Sequence, residues 1–149
     1  LAYNSEFAHT TAAGGDGLDG DFVQGRIENC AFHDLRGDGV DLSGSQVTID
    51  GAMFQHMGDK GISAGENSVI TATRIVADDL SMAVASKDLS HVQVDDISIA
   101  NAWVAGLAAY QKKAEYGPSR LIATNVHFMD SSPRTLAQKG SQVKVDNID

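Results

Sequence analysis

GDGVDLSGSQVTIDGAMF, residues 37–54, is one copy of a unit that recurs along nearly the whole chain. The unit opens on Gly39 and Val40-Asp41-Leu42, turns at Ser43-Gly44-Ser45, runs through Val47-Thr48-Ile49, corners again and closes on Phe54. Aligning the copies on the glycine before each first apolar strand gives Gly17, Gly39, Gly61, Ala83 in the same role, and Gly106. Their intervals are 22, 22, 22 and 23 residues. A second mark is the polar residue that opens the middle strand: Gln24, Gln46, Ser68, His91, Arg120 and Gln142.

The first five of these polar residues read as lying 15 residues before the next coil start: 24 to 39, 46 to 61, 68 to 83, 91 to 106 and 120 to 135. From coil start to middle strand the distances read as 7, 7, 7, 8, 14 and 7. Length variation from Gly17 onward is thereby assigned to one turn, and stacked repeats collect their insertions in loops on one face. Apolar residues alternate with period two and are rich in β-branched types, which favours strands over helical repeats. The leucine and asparagine framework of leucine-rich repeats is missing. The expected fold is all-β: a single-stranded right-handed parallel β-helix of about six coils of roughly 22 residues, with three short strands per coil.

Alternation assigns inward columns. They are Leu18, Val40, Ile62, Val84, Leu107 and Leu136; then Val47, Val69, Val92, Leu121 and Val143; then Ile27, Ile49, Val94 and Val145. Phe32, Phe54, Val76, Ile99 and Phe128 close the coils, while Thr48, Ile70, Gln93 and Lys144 point outward. One domain over residues 1–149 follows: residues 1–15 as the end of a truncated first coil, 16–148 as regular coils and 108–120 as an inserted turn. Asn4-Ser5-Glu6-Phe7 matches Asn29-Cys30-Ala31-Phe32 at an offset of 25. No amphipathic helix caps the first coil. Self-association through an uncapped end is therefore expected, because open strand edges invite pairing.

A chain of 149 residues with 42% hydrophobic residues is one domain's worth and buries a core. The net charge of -9 speaks against nucleic acid and against anionic lipid surfaces. The lone cysteine, Cys30, excludes an internal disulfide and falls in an apolar column. No apolar run is long enough to cross a membrane as a helix. The chain begins at Leu1 and reads as a mature or trimmed piece.

The stretches DGLDGDF (16–22), GDKGISAGENSV (58–69), ASKDLSHVQV (85–94) and GLAAYQKKAEYGP (106–118) resemble right-handed β-helix repeat domains of the pectin-lyase-like superfamily. Such bacterial modules accompany extracellular proteins, so the resemblance implies a secreted or cell-surface location. The wider superfamily includes pectate lyases and polygalacturonases. The resemblance thus implies a polysaccharide partner, while the fold by itself implies no activity.

Two constellations stand out. Asp16 stacks on Asp38 and Asp19 on Asp41, each 22 residues apart. Like charges about 5 Å apart repel by about 3 kcal/mol at an effective dielectric near 20 and by under about 1 kcal/mol in water. The pairs must splay, shift their pKa or share a cation, and Ca²⁺ is the candidate. Lys60, next in the Asp16–Asp38 column, is the alternative neutraliser. GGDGLD (14–19) matches part of a nonapeptide calcium repeat, but Asp21 occupies its apolar position.

The inserted turn is the second. Tyr110 and Tyr116 offer flat faces there, Lys112, Lys113 and Arg120 offer charge, and the neighbouring coil adds Lys87 and Asp88. Aromatic faces beside polar groups suit a sugar or a protein surface. The bland alternative is a loop that only covers its own rod. Trp103, on the constant arc, reads as packing. His9, His33, His56, His91 and His127 are scattered, with His33 and His56 almost in register.

The leading expectation is a binding or assembly module for carbohydrate or a protein surface, with no catalytic constellation. The alternatives are a calcium-assisted polysaccharide lyase or glycoside hydrolase, for which Lys87, Lys112, Lys113 and Arg120 are candidate bases, and a structural spacer.

Overall fold

The computed structural model describes residues 1–10, 14–131 and 133–148. In chain order the strands are β1 (Ala2–Tyr3), β2 (Glu6–Ala8), β3 (Leu18–Asp21), β4 (Gln24–Leu35), β5 (Val40–Ser43) and β6 (Gln46–Met57). They continue with β7 (Lys60–Gly65), β8 (Val69–Lys87), β9 (His91–Tyr110), β10 (Arg120–Met129), β11 (Thr135–Ala137) and β12 (Gln142–Ile148). Every pairing is parallel, and each strand meets its counterpart one coil away. The result is a β-solenoid of about six turns, 22 residues apart. Residues 1–8 pair with β4 at the offset of 25, Ala2 opposite Ile27 and Phe7 opposite Phe32.

Two columns of left-handed residues bend each coil. Asn4, Asn29, Gly51, Arg74, Asp96, Asn125 and Asn147 form the first corner; His9, Asp34, His56, Asp79, Asn101 and Asp130 form the second. All have positive φ, a region that asparagine, aspartate and glycine tolerate best. The corners divide a coil into three arms. Face A begins at Gln24, Gln46, Val69, His91, Arg120 and Gln142; face B lies between the corners; face C runs through β3, β5, β7, the ends of β8 and β9, and β11.

The pairing corrects the third coil. Gln46 lies opposite Val69, not Ser68, and Phe54 lies opposite Ala77, not Val76. Val69 and Val76 are exposed, whereas Ile70 is 1% exposed and sits inside. A one-residue slip in period-two structure reverses every side chain. Ser68 belongs instead to a serine column in the turn. Val23 N–H donates to Ser45 Oγ, Ser45 N–H to Ser68 Oγ, Ser68 N–H to Ser90 Oγ and Ser119 N–H to Ser141 Oγ, each at 3.0 Å.

Leu136 is corrected in the same way. It lies opposite Ala108, on the outward side, and is exposed; Thr135 lies opposite Leu107. Nor does all variation in length fall in one turn. The constant part is the ten residues from strand opening to second corner, as in 24 to 34, 69 to 79 and 120 to 130. Beyond that corner single residues come and go: Leu80 pairs with Ala102 and Met82 with Ala105, so Trp103 and Val104 together oppose Ser81 as a bulge. Trp103 therefore stands half exposed instead of packing.

Phe7, Phe32, Phe54, Ala77, Ile99 and Phe128 form one interior column. Phe7 stacks on Phe32 at 4.8 Å between ring centroids and Phe32 on Phe54 at 5.0 Å. This column explains the glycine that opens each coil. A Cβ on Gly39 would meet Phe54 Cδ1 at 2.4 Å, and one on Gly106 would meet Phe128 Cε1 at 2.6 Å. The alanine in this role, Ala83, follows the coil whose interior residue is Ala77. Cys30 is buried, its Sγ 3.3 Å from the Glu28 carbonyl oxygen.

Gly39→Ala should destabilise the domain by about 1–3 kcal/mol, the usual cost of overpacking a closed core. Denaturant midpoints measure it, and an unchanged midpoint would contradict the glycine–phenylalanine contact.

Candidate functional site

The aspartate columns hold backbone amides. Asp16 Oδ1 accepts the Asp38 N–H at 2.6 Å, and Asp38 Oδ1 accepts the Lys60 N–H at 2.9 Å. Lys60 Nζ lies 3.1 Å from Asp38 Oδ1 and also pairs with Asp59. Burial pushes the Asp38 carboxyl up, against the opposing pull of Lys60. Burial alone would lower the Lys60 ammonium, but Asp59 and Asp38 together raise it. Asp19 sits opposite Asp41 on the outer side of face C, and its carboxyl is raised by partial burial and then by Asp41, Asp21 and Asp16. Asp41 Oδ1 is enclosed with no hydrogen-bond partner among the described residues and faces Lys87 Nζ at 3.6 Å. Asp16, Asp19, Asp38 and Asp41 do not converge on one point as a ligand set: among the described residues, the group of three or more close metal-binding side chains is elsewhere.

The inserted turn is tied down by bonds within it and to the preceding coils. Asp88, 1% exposed, accepts the Lys112 and Lys113 amide N–H at 2.6 and 2.7 Å through one oxygen. Gln111 Nε2 donates to the carbonyl oxygen of Tyr116 at 2.6 Å, and Lys113 Nζ pairs with Glu66. Lys87 lies opposite Tyr110 and is buried; burial raises the half-buried Tyr110 phenol. Ser63, Ala85 and Ala108, in the outward column with Asp19 and Asp41, are 0% exposed although they lie outside the main core. Face C is thus occupied by the chain itself. Of the expected ligand residues, the structure gathers Lys87, Asp88, Tyr110, Lys113 and Tyr116 there, mostly engaged in internal contacts. Lys112 is exposed beside them. Arg120 is elsewhere: it opens a strand of face A, between His91 and Gln142. Glu66 and Gln111 carry no distinguishing pattern in the sequence, whereas the serine column is written there as serines at 45, 68, 90, 119 and 141.

Face A, like face B with its exposed Met53 and Val76, is open to solvent. Its outward positions form three columns: Gln24, Gln46, Val69, His91, Arg120, Gln142; then Arg26, Thr48, Thr71, Gln93, Ile122, Lys144; then Glu28, Asp50, Thr73, Asp95, Thr124, Asp146. A shallow groove of about 290 Å³ runs over Thr71, Thr73, Gln93, Asp95, Ile122 and Thr124. Carboxylates here are held by hydroxyls and the first corner. Thr73 Oγ1 and Arg74 Nε donate to Asp50 Oδ1 at 2.8 and 2.9 Å; Thr124 Oγ1 and Asn125 Nδ2 donate to Asp95 Oδ1, both at 2.7 Å. These bonds hold both carboxyls below the ordinary aspartate range.

The second corner gathers histidines. His33 lies opposite Gln55, so its near-register with His56 is off by one position. Asp34 bridges them instead. Its Oδ2 lies 2.8 Å from His33 Nδ1 and 3.9 Å from His9 Nδ1, and its Oδ1 lies 3.4 Å from His56 Nδ1. Hydrogen bonding to Asp34 and Glu6 raises His33, and His33 in turn lowers Asp34.

Comparison with protein-family models, curated proteins and solved structures finds no match to this chain. The chemistry therefore rests on these surfaces alone.

Asp88→Ala should release the turn. Limited proteolysis would then cut within 111–117 faster than in the parent, and stability should fall by about 1–3 kcal/mol from the two orphaned amides. Unchanged cleavage would contradict the anchoring role. For Asp50 and Asp95 the folded carboxyls are depressed, so their stabilisation is present above the unfolded value of about 3.9 and is lost as pH falls through the folded one. Melting scans between pH 6 and pH 2, as a rough range, should show a shallower acid loss in the Asp50→Asn, Asp95→Asn double variant.

Proposed function

We propose that this domain is a non-catalytic binding module that takes a neutral polysaccharide along face A. The observation that carries this reading is the repeated triplet of outward side chains. Each coil offers fresh hydrogen-bonding groups one strand spacing, about 4.8 Å, from the last. A repeating polymer can use such a row coil after coil. The glutamines, Thr48, Thr71 and Arg120 supply donors, and Asp146 and the second carboxylate oxygen of Asp95 supply acceptors. Protein interfaces centre on aromatic and apolar anchors. Apart from Tyr3 at its first edge, opposite Glu28, and Val69 and Ile122 farther along, the outward side chains of face A are polar, which favours a sugar over a protein surface. The net charge of -9 favours a neutral glycan over a uronate.

The proposed relationship to the pectin-lyase-like superfamily, with a secreted or cell-surface setting, agrees with the parallel solenoid but rests on the resemblance of the quoted stretches. The calcium-assisted lyase is the weaker reading. Asp16 and Asp38 are engaged by backbone amides, and Lys87, a candidate base, is buried against Asp41.

Affinity electrophoresis through gels containing xylan, glucomannan, β-glucan or polygalacturonate tests the proposal. Retardation by a neutral glycan is expected. Gln93→Ala with Arg120→Ala should weaken it about tenfold or more, since hydrogen bonds involving a charged group contribute about 1.5–3 kcal/mol. Binding that survives both substitutions would move the site off face A. New reducing or unsaturated ends from polygalacturonate with Ca²⁺ would overturn the non-catalytic reading.

A further inference from the structure

We propose that the second corner of the first coils is a site for a divalent transition-metal cation, Zn²⁺ foremost, held by His9, His33 and Asp34 and completed by His56. The donor atoms of His9, His33 and Asp34 lie within 4.8 Å of one another. A tetrahedral cation with bonds of about 2.0–2.1 Å places its donors about 3.3 Å apart. The Asp34 oxygens stand 2.8, 3.4 and 3.9 Å from the Nδ1 atoms of His33, His56 and His9, so the separations bracket that edge. Small side-chain rotations bring them to it.

The backbone supports the same placement. His9, Asp34 and His56 occupy one left-handed corner position in three successive coils, with φ of 61°, 54° and 53°. Their Cα atoms thus stack at the strand spacing instead of depending on loop conformations. His33, one residue before the corner, reaches the same point from the side. Its other ring nitrogen, Nε2, lies 2.5 Å from Glu6 Oε1. A carboxylate on the far nitrogen is the usual outer partner of a metal-bound histidine; it fixes the ring and its tautomer. Imidazole and carboxylate together suit Zn²⁺ and its neighbours better than Ca²⁺, which prefers an all-oxygen shell. Bound there, the cation would fasten the first three coils to one another.

Titration calorimetry of the intact chain with Zn²⁺, after chelator treatment, is the test, with Co²⁺ absorption as a report on geometry. One equivalent of Zn²⁺ should bind and raise the melting temperature, and Co²⁺ should show the intense visible bands of a tetrahedral N/O site. His9→Ala with His33→Ala should abolish both signals. Glu6→Gln, which touches no cation, should weaken Zn²⁺ about tenfold or more. Asp34→Asn keeps a residue that tolerates the corner and should also lose affinity. Circular dichroism confirms that each variant is folded, and the two milder variants decide the matter if the double alanine variant is not. No heat with Zn²⁺ in the parent, or an equal dissociation constant in parent and variants, would overturn the site. So would an equal loss in His91→Ala with His127→Ala, since those histidines lie on other faces.

Discussion

Parallel stacking in strict register is the constraint on which everything else in this molecule depends. No arm of a coil is large enough to bury its apolar face alone, so each coil is stable only because the next repeats it. Interior residues such as Ile27, Ile49 and Val94 then share one column, as do the phenylalanines. Burying a large apolar side chain contributes about 1.5–3 kcal/mol. A slip of one residue would exchange the interior of a coil with its surface. The two left-handed corners prevent such slips along the first two arms, since each fixes where the chain bends. The turn beyond them is pinned by serine hydroxyls.

Much of this was legible in the residues, for a physical reason. Period-two alternation and a recurring glycine are direct consequences of pleat and packing, so Gly17, Gly39, Gly61 and Gly106 announced the coil. The register of the third coil is masked in the sequence because Ser68 resembles Gln46: both are polar and both precede a valine. The deciding signal was present as a serine at 45, 68, 90, 119 and 141, whose spacings follow the register at every step. Leu136 misled for a related cause. The arc before it is one residue shorter than the arc before Gly106, and alternation restarts from the wrong residue.

Sites were less legible than folds because accessibility is not written in residue type. The inserted turn stands where its length placed it, yet Asp88 and Gln111 spend their polar atoms on its backbone. The grouping of tyrosine and lysine suggested an open ligand site, and the side chains instead close over face C. The histidine cluster shows the converse. His9 and His56 are 47 residues apart and share nothing in sequence. They meet only because a corner column places Asp34 between them, and face A was visible as alternation but not as a surface left uncovered.

The serine column also gives the rod a direction. The hydroxyls of Ser45, Ser68, Ser90 and Ser141 each accept an amide proton from the coil before, and Ser45 and Ser68 also donate to carbonyl oxygens of that earlier coil, at Gly20 and Leu42; at Ser119 the relay breaks, the Ser90 amide turning to the Lys87 carbonyl. A coil's turn is therefore completed by a residue the chain has not yet laid down when that coil is made. For the hydroxyls, dependence runs one way: loss of the Ser68 hydroxyl removes the acceptor of the Ser45 amide, while Ser90 still supplies the acceptor for the Ser68 amide. The backbone runs the other way, since the amides of Val69, His91, Arg120 and Gln142 donate to the serine carbonyl of the coil before, so hydroxyl and main chain lock each turn from opposite sides.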